Sequence, residues 1–189
     1  DKLFFQNSGG GVTLSGGEPT LYADFIGDLL NHLKREGIHT LVETCGLFDA
    51  ETFEQMLYPF LDLIYYDIKL MDDTMLREYC GVSNQVILNN FGCLFRHFQA
   101  GGVEILPRTP LIPGITDTDE NLQAIADFLL SVGADKAELL EYHPMWREKN
   151  VKLGLPMPAE EPEDLDAFAS RDHLDKCRQI FLDAGIEIV

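Results

Sequence analysis

Three observations predict an α/β fold, with a parallel sheet and helices outside it. Short β-rich runs alternate with amphipathic stretches from Val12 onward. Helix–glycine–strand cassettes recur three times at similar intervals, without a sequence repeat strong enough for a solenoid. The charged and polar residues that interrupt the strands fall near their C-terminal ends, which favours a (β/α) barrel over a doubly wound layer.

The elements follow in order. A strand over 12–15 runs into Gly16-Gly17-Glu18-Pro19, where two residues without side chains let backbone groups approach a ligand closely and the proline suits a helix start. Phe25, Ile26, Leu29, Leu30 and Leu33 recur at helical spacing, and Gly37 stands where a C-cap belongs. Residues 39–44 read as a strand, 49–58 as a weaker helix ending before Pro59, and 62–69 as the next strand. Two helical pieces separated near Gly81 come next, with 86–99 the longer, and then a strand over 103–108 whose frayed end Pro107 marks. Asp117 and Glu120 have capping-box spacing ahead of a helix that places Leu122, Ile125, Ala126 and Leu129 on one face and ends at Gly133. A strand over 137–142 follows, then a long irregular connection over 144–170, and a final helix over 171–184, capped by Gly185, that leads into Ile186-Glu187-Ile188-Val189.

With 189 residues and 46% hydrophobic content, residues 1–189 are expected to form a single domain. A formal charge of −18 argues against a nucleic acid or an anionic membrane surface as partner, because both are bound by neutralising phosphates with Lys and Arg. Cys45, Cys80, Cys93 and Cys177 are scattered, no two spaced as ligands of one site, so reduced thiols and a cytoplasmic location are expected. No apolar run approaches a membrane span, and residues 1–5 are not a secretory signal; their charged and aromatic opening reads as a piece of a longer sequence.

The candidate chemistry lies where the strands end: Glu18, then Glu43 and Thr44, then Asp67 and Lys69, then Arg108, then His143 after Tyr142. Alternation points Asp67 and Lys69 one way and Ile64, Tyr66 and Ile68 the other, toward covering helices. An ion pair buried at a barrel mouth is costly without a ligand. Blander roles exist for each residue alone: a structural Asp67–Lys69 pair at a sheet edge, Glu43 bonding a loop, Arg108 neutralising Glu104, His143 shaping a turn. Their convergence at one end supports a ligand site.

The string GGGVTLSGGEP at 9–19 resembles the corresponding stretch of the radical S-adenosylmethionine (SAM) enzymes that activate glycyl radical enzymes, the pyruvate formate-lyase activating enzyme family. The resemblance extends through Glu43-Thr44-Cys45-Gly46, Asp67-Ile68-Lys69, the loop RTPLIPGITD at 108–117 and Tyr142-His143-Pro144-Met145, in matching order and spacing. It implies a partial (β/α)6 barrel missing its first βα unit, a parallel curved sheet that binds SAM along its strand ends. Gly16, Gly17 and Glu18 would take the methionine amino group, Lys69 the carboxylate side, and Asp67, in the Asp67-Ile68-Lys69 segment, together with His143 the nucleoside side. Arg108 would lie near the sulfonium and the incoming substrate loop. Glu43, Thr44, Asp67 and the carbonyl of Tyr65 match positions that surround a monovalent cation in some members, although Glu43 replaces an aspartate. No side chain of this chain is implied as a general acid or base.

The family's chemistry needs a [4Fe–4S] cluster held by a CxxxCxxC loop, and this sequence contains none. The resemblance implies that the loop lies upstream, that the parent protein generates a glycyl radical on a partner enzyme through a 5′-deoxyadenosyl radical, and that a flavodoxin or ferredoxin supplies the electron. The isolated chain is expected to be inactive, and its first strand, left with one open edge, to promote self-association. Two alternatives stand beside this reading: an activase of the anaerobic ribonucleotide reductase type, and a cluster-less barrel that binds SAM or a nucleotide without catalysis.

Overall fold

A computed structural model describes residues 2–154 and 163–189. They divide into two units after Arg108. The first opens with α1 (Lys2–Ser8) and β1 (Gly11–Leu14). The Gly16–Pro19 turn leads into a 3-10 helix (Pro19–Tyr22) and α2 (Ala23–Arg35), then β2 (His39–Thr44), α3 (Ala50–Met56) and β3 (Leu63–Asp67). Next come α4 (Asp73–Cys80), α5 (Asn84–Gln99) and β4 (Glu104–Leu111), within which the division falls.

Strands β1 to β4 pair in chain order and in parallel, with Leu14 beside Val42, Glu43 beside Tyr65 and Asp67 beside Arg108. Parallel neighbours need a crossover between them, and the helices supply it. Their faces explain their position: α2 buries Ile26 and Leu30, and α5 buries Ile87, Phe91, Leu94 and Phe95. On the facing side of the strands Val42, Ile64 and Tyr66 are fully buried. Each such side chain contributes about 1.5–3 kcal/mol relative to leaving it in water. Phe25, assigned by its spacing to the apolar stripe of α2, is instead 68% exposed, because it sits at the rim of that stripe in the first helical turn.

Pro107 does not fray β4, which continues to Leu111. In a parallel ladder the N–H and C=O of one residue turn to the same neighbour. The Arg108 carbonyl accepts from Ile68 N–H at 2.8 Å, so Pro107 turns its missing donor away from β3.

The second unit contains α6 (Asp119–Val132), β5 (Lys136–Glu141), α7 (Trp146–Leu153), a 3-10 turn (Glu163–Asp166), α8 (Arg171–Ala184) and β6 (Glu187–Ile188). β5 pairs with β6 in parallel, and α6 packs on α8, burying Leu122, Ile125 and Leu129 with Leu174 and Phe181. Thr118, not Asp117, caps α6, its hydroxyl accepting from Asn121 N–H. Asp117 is spent elsewhere, on Gly114 N–H at 2.7 Å and His173 at 2.7 Å. The connection expected to be irregular over 144–170 contains α7 and the 3-10 turn; its part over 155–162 lies outside the described residues. Gly154 closes α7 with a left-handed cap, a stop signal easily read as loop. Among the described residues no helix is long and apolar enough to cross a membrane.

Candidate functional site at the strand ends

Glu18 is positioned by the turn that follows β1. It is the N-cap of the Pro19–Tyr22 helix, with Oε1 accepting from Thr20 N–H at 3.1 Å and Thr20 Oγ1 at 2.7 Å. The same carboxylate reaches the end of β2, where Oε1 accepts from Thr44 Oγ1 at 3.0 Å and Oε2 from Cys45 N–H at 2.8 Å. Partial burial works to raise its pKa, but the hydrogen bonds from Cys45 and Thr20 outweigh burial and hold the group below its ordinary value. Glu18 therefore ties the glycine turn to the neighbouring strand and has both oxygens occupied. Gly16 has a φ of +133°, and a Cβ at Gly16 or Gly17 would meet open space, so the turn's backbone faces room for a ligand.

A second cluster crosses β2, β3 and β4. Arg108, 8% exposed, donates from Nη1 to Glu43 Oε1 at 3.1 Å and from Nη2 and Nε to Asp67 Oδ1 at 3.0 and 3.2 Å. Its guanidinium carbon lies 4.6 Å from the centre of the Tyr65 ring. Glu43 Oε2 accepts from Ser15 Oγ at 2.6 Å, and Lys69 Nζ stands 3.4 Å from Asp67 Oδ2. Register explains the assembly: Glu43, Tyr65 and Asp67, the last opposite Arg108, alternate onto one face of adjacent strands. Burial opposes the charge on both Glu43 and Arg108, yet the ion pair prevails: Glu43 is pushed down by Ser15 and Arg108, and Arg108 is pushed up by Asp67 and Glu43. A cleft of about 220 Å³ lined in part by Cys45, Asp67, Lys69, Leu76 and Ile87 adjoins this cluster. A larger hollow of about 340 Å³, beside Leu21, Phe48 and Phe53, carries none of these strand-end charges.

Within the first unit the structure forms two groups, Glu18 with Thr44 at the Gly16–Gly17 turn, and Glu43, Tyr65, Asp67, Lys69 and Arg108 across β2 to β4, linked by the Ser15–Glu43 hydrogen bond. Arg108 pairs with Glu43 and Asp67 rather than with Glu104. The Ile68 side chain is 1% exposed with the core, and its N–H donates to the Arg108 carbonyl. Thr44 lies on the face opposite Glu43, its hydroxyl given to Glu18 and accepting from Gly46 N–H at 3.0 Å. His143 follows β5 in the second unit, its ring edge-on to Phe168 at 5.0 Å.

Ser15, the Tyr65 ring and Asn90 escaped the sequence reading. Asn90 donates to the carbonyls of Gly46 and Phe48 at 2.9 Å each, and the Tyr66 hydroxyl donates to the Ile87 carbonyl at 2.6 Å, fastening the loop after β2 to α5. An asparagine three residues after Ile87 on an apolar helical stripe was the available signal.

The low carboxyl values carry a pH signature. Glu18 and Glu43 titrate below the ordinary 4.5 when folded, so their stabilisation is complete above that value and is lost as pH falls through the lowered folded values. The urea midpoint is expected to be flat near neutrality and to decline below about pH 4.5, with a shallower decline in Glu18→Gln. Burial and the hydrogen bond to Glu18 push the Cys45 thiol up to about 11, so alkylation at pH 7.5 is expected to be far slower at Cys45 than at exposed Cys80.

The residues match the family model of the radical SAM superfamily over 2–129. The chain is 42% identical over 171 residues to the isethionate sulfite-lyase activating enzyme of Nitratidesulfovibrio vulgaris, covering 90% of this chain and 54% of that protein. It is 37% identical over 171 residues to the (2S)-3-sulfopropanediol sulfolyase activating enzyme of Bilophila wadsworthia, covering 90% and 56%. The chain thus spans about half the length of the curated relatives it matches. The crystal structure of a domain of the pyruvate-formate lyase-activating enzyme from Bacteroides vulgatus superposes with a TM-score of 0.71 at 30% identity, covering 95% of this chain and 98% of that one. Parallel strands joined by helices, with the charged residues at the strand ends, are accordingly a partial (β/α) barrel of the radical SAM class. On the family model and on this solved domain, the chain belongs to the radical SAM superfamily and, within it, to the family of glycyl radical enzyme activating enzymes that includes pyruvate formate-lyase activating enzyme.

Proposed function

We propose that this chain is the SAM-binding part of an activase that generates a glycyl radical on a partner enzyme. The observation that carries the reading is that the Gly16–Gly17 turn and the Asp67–Lys69–Arg108 cluster, linked through Ser15 and Glu43, lie at the ends of parallel strands in a chain of this family. The substrate SAM is a zwitterion with a sulfonium. The exposed backbone of Gly16 and Gly17 suits its amino group, and Lys69 its carboxylate. Glu18 acts on that turn as a brace, since its oxygens already hold Thr20, Thr44 and Cys45. Asp67 suits the nucleoside, and the same role is proposed for His143 on the resemblance alone. Glu18, Glu43 and Asp67 outnumber Lys69 and Arg108 by one charge, which a sulfonium would offset. Treating residues 1–189 as one functional domain is part of this proposal.

Among the described residues no group of three or more His, Cys, Asp or Glu is placed to hold a metal, and the sequence has no CxxxCxxC. These residues do not fit a [4Fe–4S] cluster. The cluster, the flavodoxin- or ferredoxin-type reductant and the glycine loop of the partner therefore belong to the activity of the whole protein, and this chain's share is to bind and orient SAM and shield it from water. The same strand-end groups would serve a second reading, a barrel that binds SAM or a nucleotide without catalysis.

The test uses the full-length protein, reconstituted anaerobically with iron and sulfide, reduced, and supplied with SAM. Methionine and 5′-deoxyadenosine should form, and a glycyl radical doublet should appear by electron paramagnetic resonance on a candidate partner. SAM binding without cleavage would favour the second reading. The 189-residue chain alone is expected to release no 5′-deoxyadenosine. Among the described residues β1 pairs only with β2, so the isolated chain is also expected to self-associate with rising concentration. A monomer by light scattering at high concentration would refute that expectation.

A further inference from the structure

The strand-end carboxylates that the resemblance assigns to a monovalent cation are already neutralised from within. Glu43 Oε1 and Asp67 Oδ1 are bridged by the Arg108 guanidinium at 3.0–3.2 Å, Glu43 Oε2 accepts from Ser15, and Asp67 Oδ2 faces Lys69. The Thr44 hydroxyl is turned to the other face, where it is given to Glu18. A sodium or potassium ion seeking these oxygens would have to displace a tethered cation and approach a second one, Lys69, against like-charge repulsion. The residues present do not fit a bound monovalent cation.

We propose that Arg108 is a built-in substitute for that ion, a positioning residue that locks the ends of β2, β3 and β4 together and makes the site independent of sodium and potassium. A planar fork suits this task, because it bonds two carboxylates on different strands at once, where a point charge fixes no direction. Replacement of an aspartate by the longer Glu43 is consistent with it: the added methylene carries the carboxylate far enough to meet both Ser15 and the guanidinium. The inference deepens the reading of the same site and rests on that reading only for the identity of the ligand.

The experiment takes the full-length protein in choline, sodium and potassium chloride at matched ionic strength, and measures its thermal midpoint without SAM and the SAM dissociation constant by calorimetry. For the wild type, the midpoints should coincide and the dissociation constants should agree within about twofold. Arg108→Gln leaves two carboxylates facing each other and should acquire a saturable, sodium- or potassium-specific rise in midpoint that choline does not give, whereas Arg108→Lys should show a smaller one. A merely structural arginine would lower the midpoint equally in all three salts. A saturable sodium or potassium effect on the wild type would overturn the proposal, as would an Arg108→Gln protein that folds yet responds to all three salts alike. If Arg108→Gln does not fold, the wild-type comparison still decides. Because the midpoint is read without SAM, a failure to bind SAM and a failure of the cation substitution are separate results.

Discussion

Gly46→Ala is expected to destabilise the first unit by about 3 kcal/mol or more, the largest effect of any single methyl group at this site. Gly46 has a φ of +79°, and a Cβ there would lie 2.0 Å from the Tyr66 hydroxyl oxygen and 2.3 Å from its Cζ. Tyr66 cannot retreat: it is fully buried, stacks edge-on with Phe91 at 5.2 Å and gives its hydroxyl to the Ile87 carbonyl. The backbone of residues 45–48 would have to move instead. That motion breaks the Asn90 bonds to Gly46 and Phe48 and withdraws the Cys45 N–H from Glu18. Gly81→Ala is the control, because its φ of +74° carries the same conformational strain while its Cβ meets open space. The control should cost about 1 kcal/mol, a helix-cap penalty alone. Urea denaturation of the two variants measures the difference; equal losses would mean that the Tyr66 contact is not what demands glycine.

Glu18→Ala is expected to cost about 2–4 kcal/mol and to weaken SAM binding at least about tenfold in the full-length protein. The carboxylate accepts hydrogen bonds from the Thr20 N–H and hydroxyl, the Thr44 hydroxyl and the Cys45 N–H. Removing it leaves partly buried donors at the end of β2 without their acceptor and uncaps the Pro19–Tyr22 helix. Its effect on affinity passes through the Gly16–Gly17 turn. Lys69→Gln separates direct contact from bracing: it should weaken SAM while lowering the urea midpoint far less than Glu18→Ala, since a half-buried pair such as Lys69–Asp67, 3.4 Å apart, contributes only modestly to stability. If Glu18→Ala and Lys69→Gln shift the two readouts in the same proportion, the distinction between brace and ligand is lost.

Both variants act through residues of unequal legibility. The strand over 39–44 and the helix over 171–184 could be read directly, because apolar period and terminal glycine agree in each. Local agreement failed at Pro107, whose place inside β4 depends on which neighbour Arg108 serves, and at Asp117, whose side chain is claimed by His173 in another element. The helix Trp146–Leu153 was missed because nearby prolines and acids carry no apolar stripe.

The chain of residues by itself determined which chemistry is present and where along each strand it falls: a glycine turn after β1, and carboxylates and cations near the ends of β2, β3 and β4. Period-two alternation also settled that Asp67 and Lys69 share a face opposite Ile64, Tyr66 and Ile68, because that rule is local. Only the tertiary structure decided the pairing. That Arg108 bridges Glu43 and Asp67, that Thr44 turns from Glu43 to Glu18, and that Glu18 braces its own turn all depend on register between strands. Register is set by packing across the sheet, between residues as far apart as Glu43 and Arg108, and no local pattern encodes that distance.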